Sequence, residues 1–201
     1  MSPNRLFRSL LELIVPSAAA HCDFADGPAV TDGRRALETG KLNLALKWIP
    51  SEGEAELVDV FNKALAVRKL SPQAAELADR LFLETLVRLH RLGEGVGFTG
   101  IMPSGTTIDP IVVAADRALE KGDDREVVAL APAGRREELH RRFQVALDKK
   151  SFDVDNLPAA REFVAAYVSF FKFAEGEDHE HGHQAHATAA AHVPRGGQSH
   201  H

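Results

Sequence analysis

The sequence predicts an all-α protein: an internally duplicated, pseudo-twofold helical bundle followed by a disordered, histidine-rich tail. Three observations predict it. Apolar residues recur at helical spacing and nowhere alternate with polar ones at period two. Leu and Ala dominate, and aromatics make up only 6% of the 201 residues, which favours helices over a sandwich or barrel. Residues 28–95 also return, weakly but in register, at 110–176. The offset is 82 for most of the length and 81 near the end. Arg35-Ala36-Leu37-Glu38 returns as Arg117-Ala118-Leu119-Glu120, Gly40 as Gly122 and Pro50 as Pro132. Phe61 and Ala64-Leu65 return as Phe143 and Ala146-Leu147; after a one-residue deletion, Phe82, Val87 and Glu94-Gly95 meet Phe163, Val168 and Glu175-Gly176.

The first repeat, residues 21–95, opens with Asp26 as a candidate helix cap, Pro28 in the first turn and Gly40 just past the end. A short helical piece from Asn43 to Trp48 stops at Pro50. Ser51-x-x-Glu54 reads as a capping box for a helix through about Lys69. Leu57, Val60, Phe61, Ala64 and Leu65 give that helix one continuous apolar stripe. Ser71-Pro72 starts a long third helix that ends at Gly93 or Gly95. It is apolar on most sides (Leu77, Leu81, Leu83, Leu86, Leu92), so a central position is expected. Residues 96–108 are a Gly-rich connector, since no strand precedes them and no Lys-Ser/Thr follows as a phosphate loop requires. The second repeat, 109–176, runs from Asp109-Pro110 to Gly122, then a short piece to Pro132, then helices near 134–149 and 157–174. The two long helices are expected to pair in the bundle. Residues 177–201 carry Ala, Gly and His without periodicity, the composition of a disordered segment.

Residues 1–20 resemble a degenerate export signal, with Arg5 and Arg8, a short apolar stretch Leu10–Val15 and an A-x-A site ending at Ala20. Glu12 interrupts that apolar stretch, so an ordinary N-terminal arm is the competing reading. Export to the periplasm follows from the first and a cytoplasmic protein from the second. A net charge of −5 disfavours nucleic acid as a partner, and no apolar run reaches the roughly 18 residues of a membrane helix. Self-association as a homo-oligomer is left open.

A duplication lets one sequence act as its own control: residues kept by both halves are candidates for structure, and residues in one half only are candidates for function. His21-Cys22-Asp23, followed by Asp26, places an imidazole, a thiol and two carboxylates just before the first helix. Their second-half counterparts, Pro103, Ser104 and Gly105, are not ligands of equal strength. If cleavage precedes His21, a free amine joins the set, a chelate suited to nickel, copper or zinc. The competing reading is a leader junction with a buried Cys22. On the third helix His90 and Glu94, four apart, share a face and could hold one cation, whereas Glu84 is better placed to pair with Arg80 or Arg88. His90 becomes Phe171 and Glu84 becomes Ala165 in the second half, while Glu94 persists as Glu175. The internal control therefore marks His90 and Glu84 as functional and Glu94 as structural. A core histidine with both nitrogens satisfied locally is the alternative for His90, and His140 reads as a surface residue. The tail adds His179, His181, His183 and His186. Seven of the ten histidines lie in the last 23 residues, a composition that binds nickel, copper or zinc in vitro whatever its purpose.

The run His21-Cys22-Asp23-Phe24-Ala25-Asp26-Gly27 resembles the N-terminal hook of nickel superoxide dismutases, His-Cys-Asp-x-x-Cys-Gly. The resemblance implies a leader removed before the histidine and a nickel site on a helical bundle. Asp26 stands where the hook has its second cysteine, and a dithiolate is what makes nickel redox-active in that family. More broadly, His21-Cys22-Asp23-x-x-Asp26-Gly27-Pro28, Ala36-Leu37-Glu38-x-Gly40, Ala66-Val67-Arg68-Lys69-Leu70 and Glu84-Thr85-x-x-Arg88-x-His90-Arg91-x-Gly93-Glu94-Gly95 are similar to a bacterial family of unknown function. That resemblance implies no activity, but it groups Glu84, His90 and Glu94 with the His-Cys-Asp run.

The leading expectation is a helical metal-binding protein whose site joins His21, Cys22, Asp23 and Asp26 to His90, with the tail as a secondary metal reservoir. Were it an enzyme, Glu84 or Glu94 would be the proton partner. The competing classes are a non-catalytic helical interaction or ligand-binding protein and an enzyme with Cys22 as nucleophile.

Overall fold

The computed structural model describes residues 22–105 and 108–176. The candidate leader, His21 and the tail histidines lie outside them. Eight α-helices fill the described residues: α1 (Pro28–Thr39), α2 (Asn43–Leu46), α3 (Glu54–Val67), α4 (Pro72–Gly93), α5 (Pro110–Lys121), α6 (Arg125–Leu130), α7 (Arg136–Lys149) and α8 (Leu157–Glu175). No strand occurs among the described residues; one isolated parallel bridge joins Phe24 to Met102. The all-α class is as the sequence predicts.

Element order runs twice through the same series. α1 and α5 are both 12 residues long and both end at a left-handed glycine, Gly40 (φ 73°) and Gly122 (φ 70°), whose N–H returns to Ala36 or Ala118. A side chain other than glycine would be strained at either position. Arg68 donates to the Leu37 carbonyl (2.6 Å) and Lys150 to the Leu119 carbonyl (2.5 Å), so each half ties its third helix to its first in the same way. Single 3-10 turns at Ser51–Gly53 and Ala133–Arg135 precede α3 and α7.

Helix starts divide into those the sequence places and those it does not. Ser71 accepts from the Ala74 N–H (3.0 Å) and Asp109 from the Ile111 N–H (2.9 Å), as expected of caps before Pro72 and Pro110. Asp26 is exposed and caps nothing; Gly27 occupies the cap position in extended conformation, without a side-chain bond. The Ser51–Glu54 capping box does not form either. Residues 51–53 are wound as 3-10 helix, and the Ser51 hydroxyl donates to Glu52 at 3.3 Å.

Each half has its own apolar centre. Phe61 meets Phe82 at 5.4 Å in the first, and Phe143 meets Phe170 at 5.7 Å in the second, with nearly equal ring tilts of 54° and 56°. α4 lies on α3 and α1, and α8 on α7 and α5. Gly33 permits the approach of α1 to α4: a Cβ there would sit 2.7 Å from methyls of both Leu83 and Leu86. The two long helices are not packed along each other, and α4 is not central. Its outer face leaves Leu77 (68%), Leu81 (58%) and Leu92 (64%) exposed.

The halves join through α2 and α8. Trp48 stands edge-on to Tyr167 (5.9 Å), which stacks on Phe171 (4.4 Å). Arg161 of α8 donates to Glu54 (2.6 Å) and to the Leu46 carbonyl (3.3 Å). No helix among the described residues is long and apolar enough to cross a membrane.

Candidate functional site

The last turn of α4 presents His90, Arg91 and Glu94 to the seam between the halves, and residues 22–25 lie across it. That segment is held by the connector: Met102 donates to the Asp23 carbonyl (3.0 Å) and accepts from the Ala25 N–H (2.9 Å). Arg34 also donates to the Ala25 carbonyl. Asp23, 3% exposed, then reaches the Arg91 guanidinium, Oδ2 to Nε 3.2 Å. Glu94 lies between three positive or polar neighbours: Lys172 Nζ at 3.0 Å, Arg91 Nη1 at 3.8 Å and His90 Nε2 at 3.9 Å. Two carboxyl groups, two cations and one imidazole therefore share one buried seam.

His90 is 4% exposed, and its Nδ1 lies 2.8 Å from the Trp48 carbonyl. A carbonyl only accepts, so Nδ1 carries the hydrogen. Burial pushes the pKa of His90 down, against the pull of Glu94 and the Trp48 carbonyl, so the ring is neutral. Its Nε2 is consequently a bare lone pair. Trp48 is itself held by its indole N–H donating to Asp32 (2.9 Å), and Lys47 pairs with the same carboxylate (2.9 Å). The indole stands edge-on to the His90 ring, with centroids 5.8 Å apart.

Three buried atoms in this seam have no hydrogen-bond partner: His90 Nε2, Glu94 Oε2 and Asp23 Oδ1. All three are acceptors. A buried polar atom without a partner costs about 1–3 kcal/mol, so the arrangement calls for a donor or a cation. Cys22, also buried, lies within electrostatic reach of Glu94, Asp23 and Lys172. Burial pushes its thiol up, and the nearby Glu94 and Asp23 charges add to this against Lys172. Burial likewise pushes the Asp23 carboxyl up to about 7 despite Arg91. Tyr167 closes the far side, its hydroxyl donating to Asp116 (3.0 Å). Among the described residues no three His, Cys, Asp or Glu side chains are grouped so as to hold a metal ion.

Of the residues the sequence singles out, the fold brings Cys22, Asp23, His90 and Glu94 to one seam. Asp26 is exposed, and Glu84 pairs with Arg80 (2.8 Å) on the outer face of α4, so neither joins them. His140 is a surface residue, as expected, with Nδ1 2.6 Å from Asp124. The alternative for His90, a core histidine satisfied locally, holds for Nδ1 and fails for Nε2. Sequence reasoning missed Arg91, Lys172 and Trp48. A signal existed for the two cations: at the offset of 81, Arg91 corresponds to Lys172. Recurrence at Glu94 was read as scaffold and that at Arg91 was passed over, yet Glu94 and Lys172 meet across the seam.

Residues 26–173 match the sequence pattern of a family of unknown function, DUF6448. The chain belongs to this family. The match takes in α4, Met102 and α8 as far as Phe173, and begins after Cys22 and Asp23. No curated protein and no solved structure matches the chain.

Proposed function

We propose that this DUF6448 member is a transition-metal-binding protein that takes one ion between residues 21–23 and the last turn of α4. The observation that supports the reading is the pair of acceptors without a hydrogen bond, His90 Nε2 and Glu94 Oε2, 3.9 Å apart in a buried seam. Metal–nitrogen and metal–carboxylate bonds are about 2.0–2.2 Å, so one ion bridges that gap without moving either side chain far. The neutral His90 tautomer is the form a metal requires, and the Trp48 carbonyl is the kind of outer partner that fixes it. His90 and Glu94 are the ligands the described residues supply; the Cys22 thiol, buried within electrostatic reach of Glu94, would have to move onto the ion to join them, and His21, which precedes it in the sequence, is the fourth candidate. The metal-free site keeps the thiol protonated. An ion of two positive charges reverses that field, so binding releases a proton and strengthens as pH rises. Nickel, copper and zinc fit this mixed nitrogen, sulfur and oxygen set.

The raised thiol argues against Cys22 as a free nucleophile, which needs its thiolate near neutral pH. The test is the metal content of protein ending at Gly176, which removes the tail histidines. About one equivalent of nickel, copper or zinc is expected, lost on His90→Gln and on Cys22→Ser. Protein that stays empty after incubation with each metal would sink the reading.

A further inference from the structure

The seam between the halves is closed to solvent, since His90 Nε2, Glu94 Oε2 and Asp23 Oδ1 are all buried. Most of its walls are helical: α4 supplies His90, Arg91 and Glu94, and α8 supplies Tyr167 and Lys172. Trp48 is fixed by Asp32 of α1. The remaining wall is the segment Cys22–Ala25, which lies outside any α-helix. Its backbone pairs with Met102 at 2.9 and 3.0 Å, and Met102 belongs to the connector, whose described residues form no helix. Cys22, Asp23 and Phe24 are buried, whereas Asp26, between them and α1, is exposed.

The duplication shows what the helices do without this segment. At the end of α8, Pro110, Leu130, Pro132 and Glu175 line a cleft of about 330 Å³. They correspond to Pro28, Trp48, Pro50 and Glu94 of the first half. The same framework thus leaves a cleft in one half and a closed seam in the other. The differences are Trp48 in place of Leu130 and the segment 22–25, where the second half has Ser104 and Gly105 for Cys22 and Asp23.

We infer that residues 22–25 are a strap that swings away about Asp26 while the helices stay folded, and that this opening admits ions to the seam. The first part stands on geometry alone; the second rests on the metal reading. Opening breaks the two bonds to Met102, the Arg34 bond to the Ala25 carbonyl and the Asp23–Arg91 pair, and it uncovers Phe24. None of these is a contact between helices. An opening of that size lies below global unfolding in free energy.

Cys22, the single cysteine of the chain, reports the opening. A thiol reagent in excess modifies it in proportion to the population that exposes it. In the full chain, at urea concentrations below the unfolding transition, the rate is expected to be nearly flat, because opening uncovers little surface. Phe24→Ala should raise it by about a hundredfold, since the lost ring anchors the strap. Phe170→Ala, in the core of the other half, should leave it unchanged although the fold is weakened. A rate that climbs with urea along the whole slope of global unfolding overturns the strap. So does an effect of Phe170→Ala as large as that of Phe24→Ala. Nickel uptake by the same proteins, followed by quenching of the single Trp48, tests the gate. It should be faster in Phe24→Ala by the same factor as the labelling, and equal uptake rates overturn the gate. Protein that labels as expected and binds no nickel supports the strap while refuting the metal reading.

Discussion

Phe82→Ala, compared with Phe170→Ala and Phe163→Ala, tests where the second half places its core. By sequence Phe82 corresponds to Phe163; in the fold the ring that meets Phe143, as Phe82 meets Phe61, is that of Phe170. Phe82 and Phe170 are both fully buried. Removing either ring loses its transfer free energy and leaves a cavity in a close-packed centre, costing about 3–5 kcal/mol. Part of this, about 0.5–1.5 kcal/mol, is the aromatic pair itself. Phe163 is only partly buried, against Phe152 (5.4 Å) and Tyr167 (6.0 Å), and lies where neighbours can relax. Its loss should cost about half as much, roughly 1.5–2.5 kcal/mol. With a urea slope of about 2 kcal/mol per M, the first two variants shift the midpoint by about 2 M and the third by about 1 M. Urea titrations followed by far-UV circular dichroism, and by the fluorescence of the single Trp48, measure all three. If Phe163→Ala proved as costly as Phe82→Ala while Phe170→Ala proved mild, the assignment of the second core would be refuted.

Three further outcomes follow from the same geometry. Gly33→Val brings a Cβ to 2.7 Å from methyls of Leu83 and Leu86 and should destabilise the protein by about 2–3 kcal/mol by the same titration; a neutral result would show α1 and α4 to be less closely packed. Lys172→Met removes the nearest cation from the buried Glu94 and should cost about 3 kcal/mol, most of it recovered in Lys172→Met/Glu94→Gln; equal losses in single and double variants would contradict the pairing. In the metal-free protein the Asp23 carboxyl, held at about 7 against an unfolded value of 3.8, makes the folded state bind more protons than the unfolded state between those values. Its stabilising contribution is therefore complete below pH about 4 and is lost as pH rises through about 7. Asp23→Asn should flatten that slope in a melting-temperature series, and an unchanged slope would assign it elsewhere.

The sequence made helix ends legible where the signal is local. Gly40, Gly122, Ser71 and Asp109 act through their own backbone conformation or through an N–H two or three residues away. Asp26 failed as a cap because the path of residues 22–25 is set by Met102, some 80 residues on, and that path gives the cap position to Gly27. The leucines of α4 show a different limit: an apolar pattern marks faces that avoid water without saying whether the same chain covers them. Within the site, the family resemblance grouped the His-Cys-Asp run with the end of α4, and in the fold Asp23 reaches that end through Arg91. Glu94 was set aside because Glu175 repeats it, and Arg91 and Lys172 drew no notice. Repetition marks what a half needs for its own fold, but it also marks what two halves bring to a shared seam. The second meaning requires knowing that the ends of α4 and α8 meet there.

Anomalous scattering from crystals of the full chain grown with nickel tests the central claim most directly, because it locates the ion whatever the tail histidines bind. The account predicts a peak within bonding distance, about 2.0–2.2 Å, of both His90 Nε2 and Glu94 Oε2, with density for the Cys22 sulfur and His21 beside it. An empty seam in crystals that hold nickel elsewhere would contradict it.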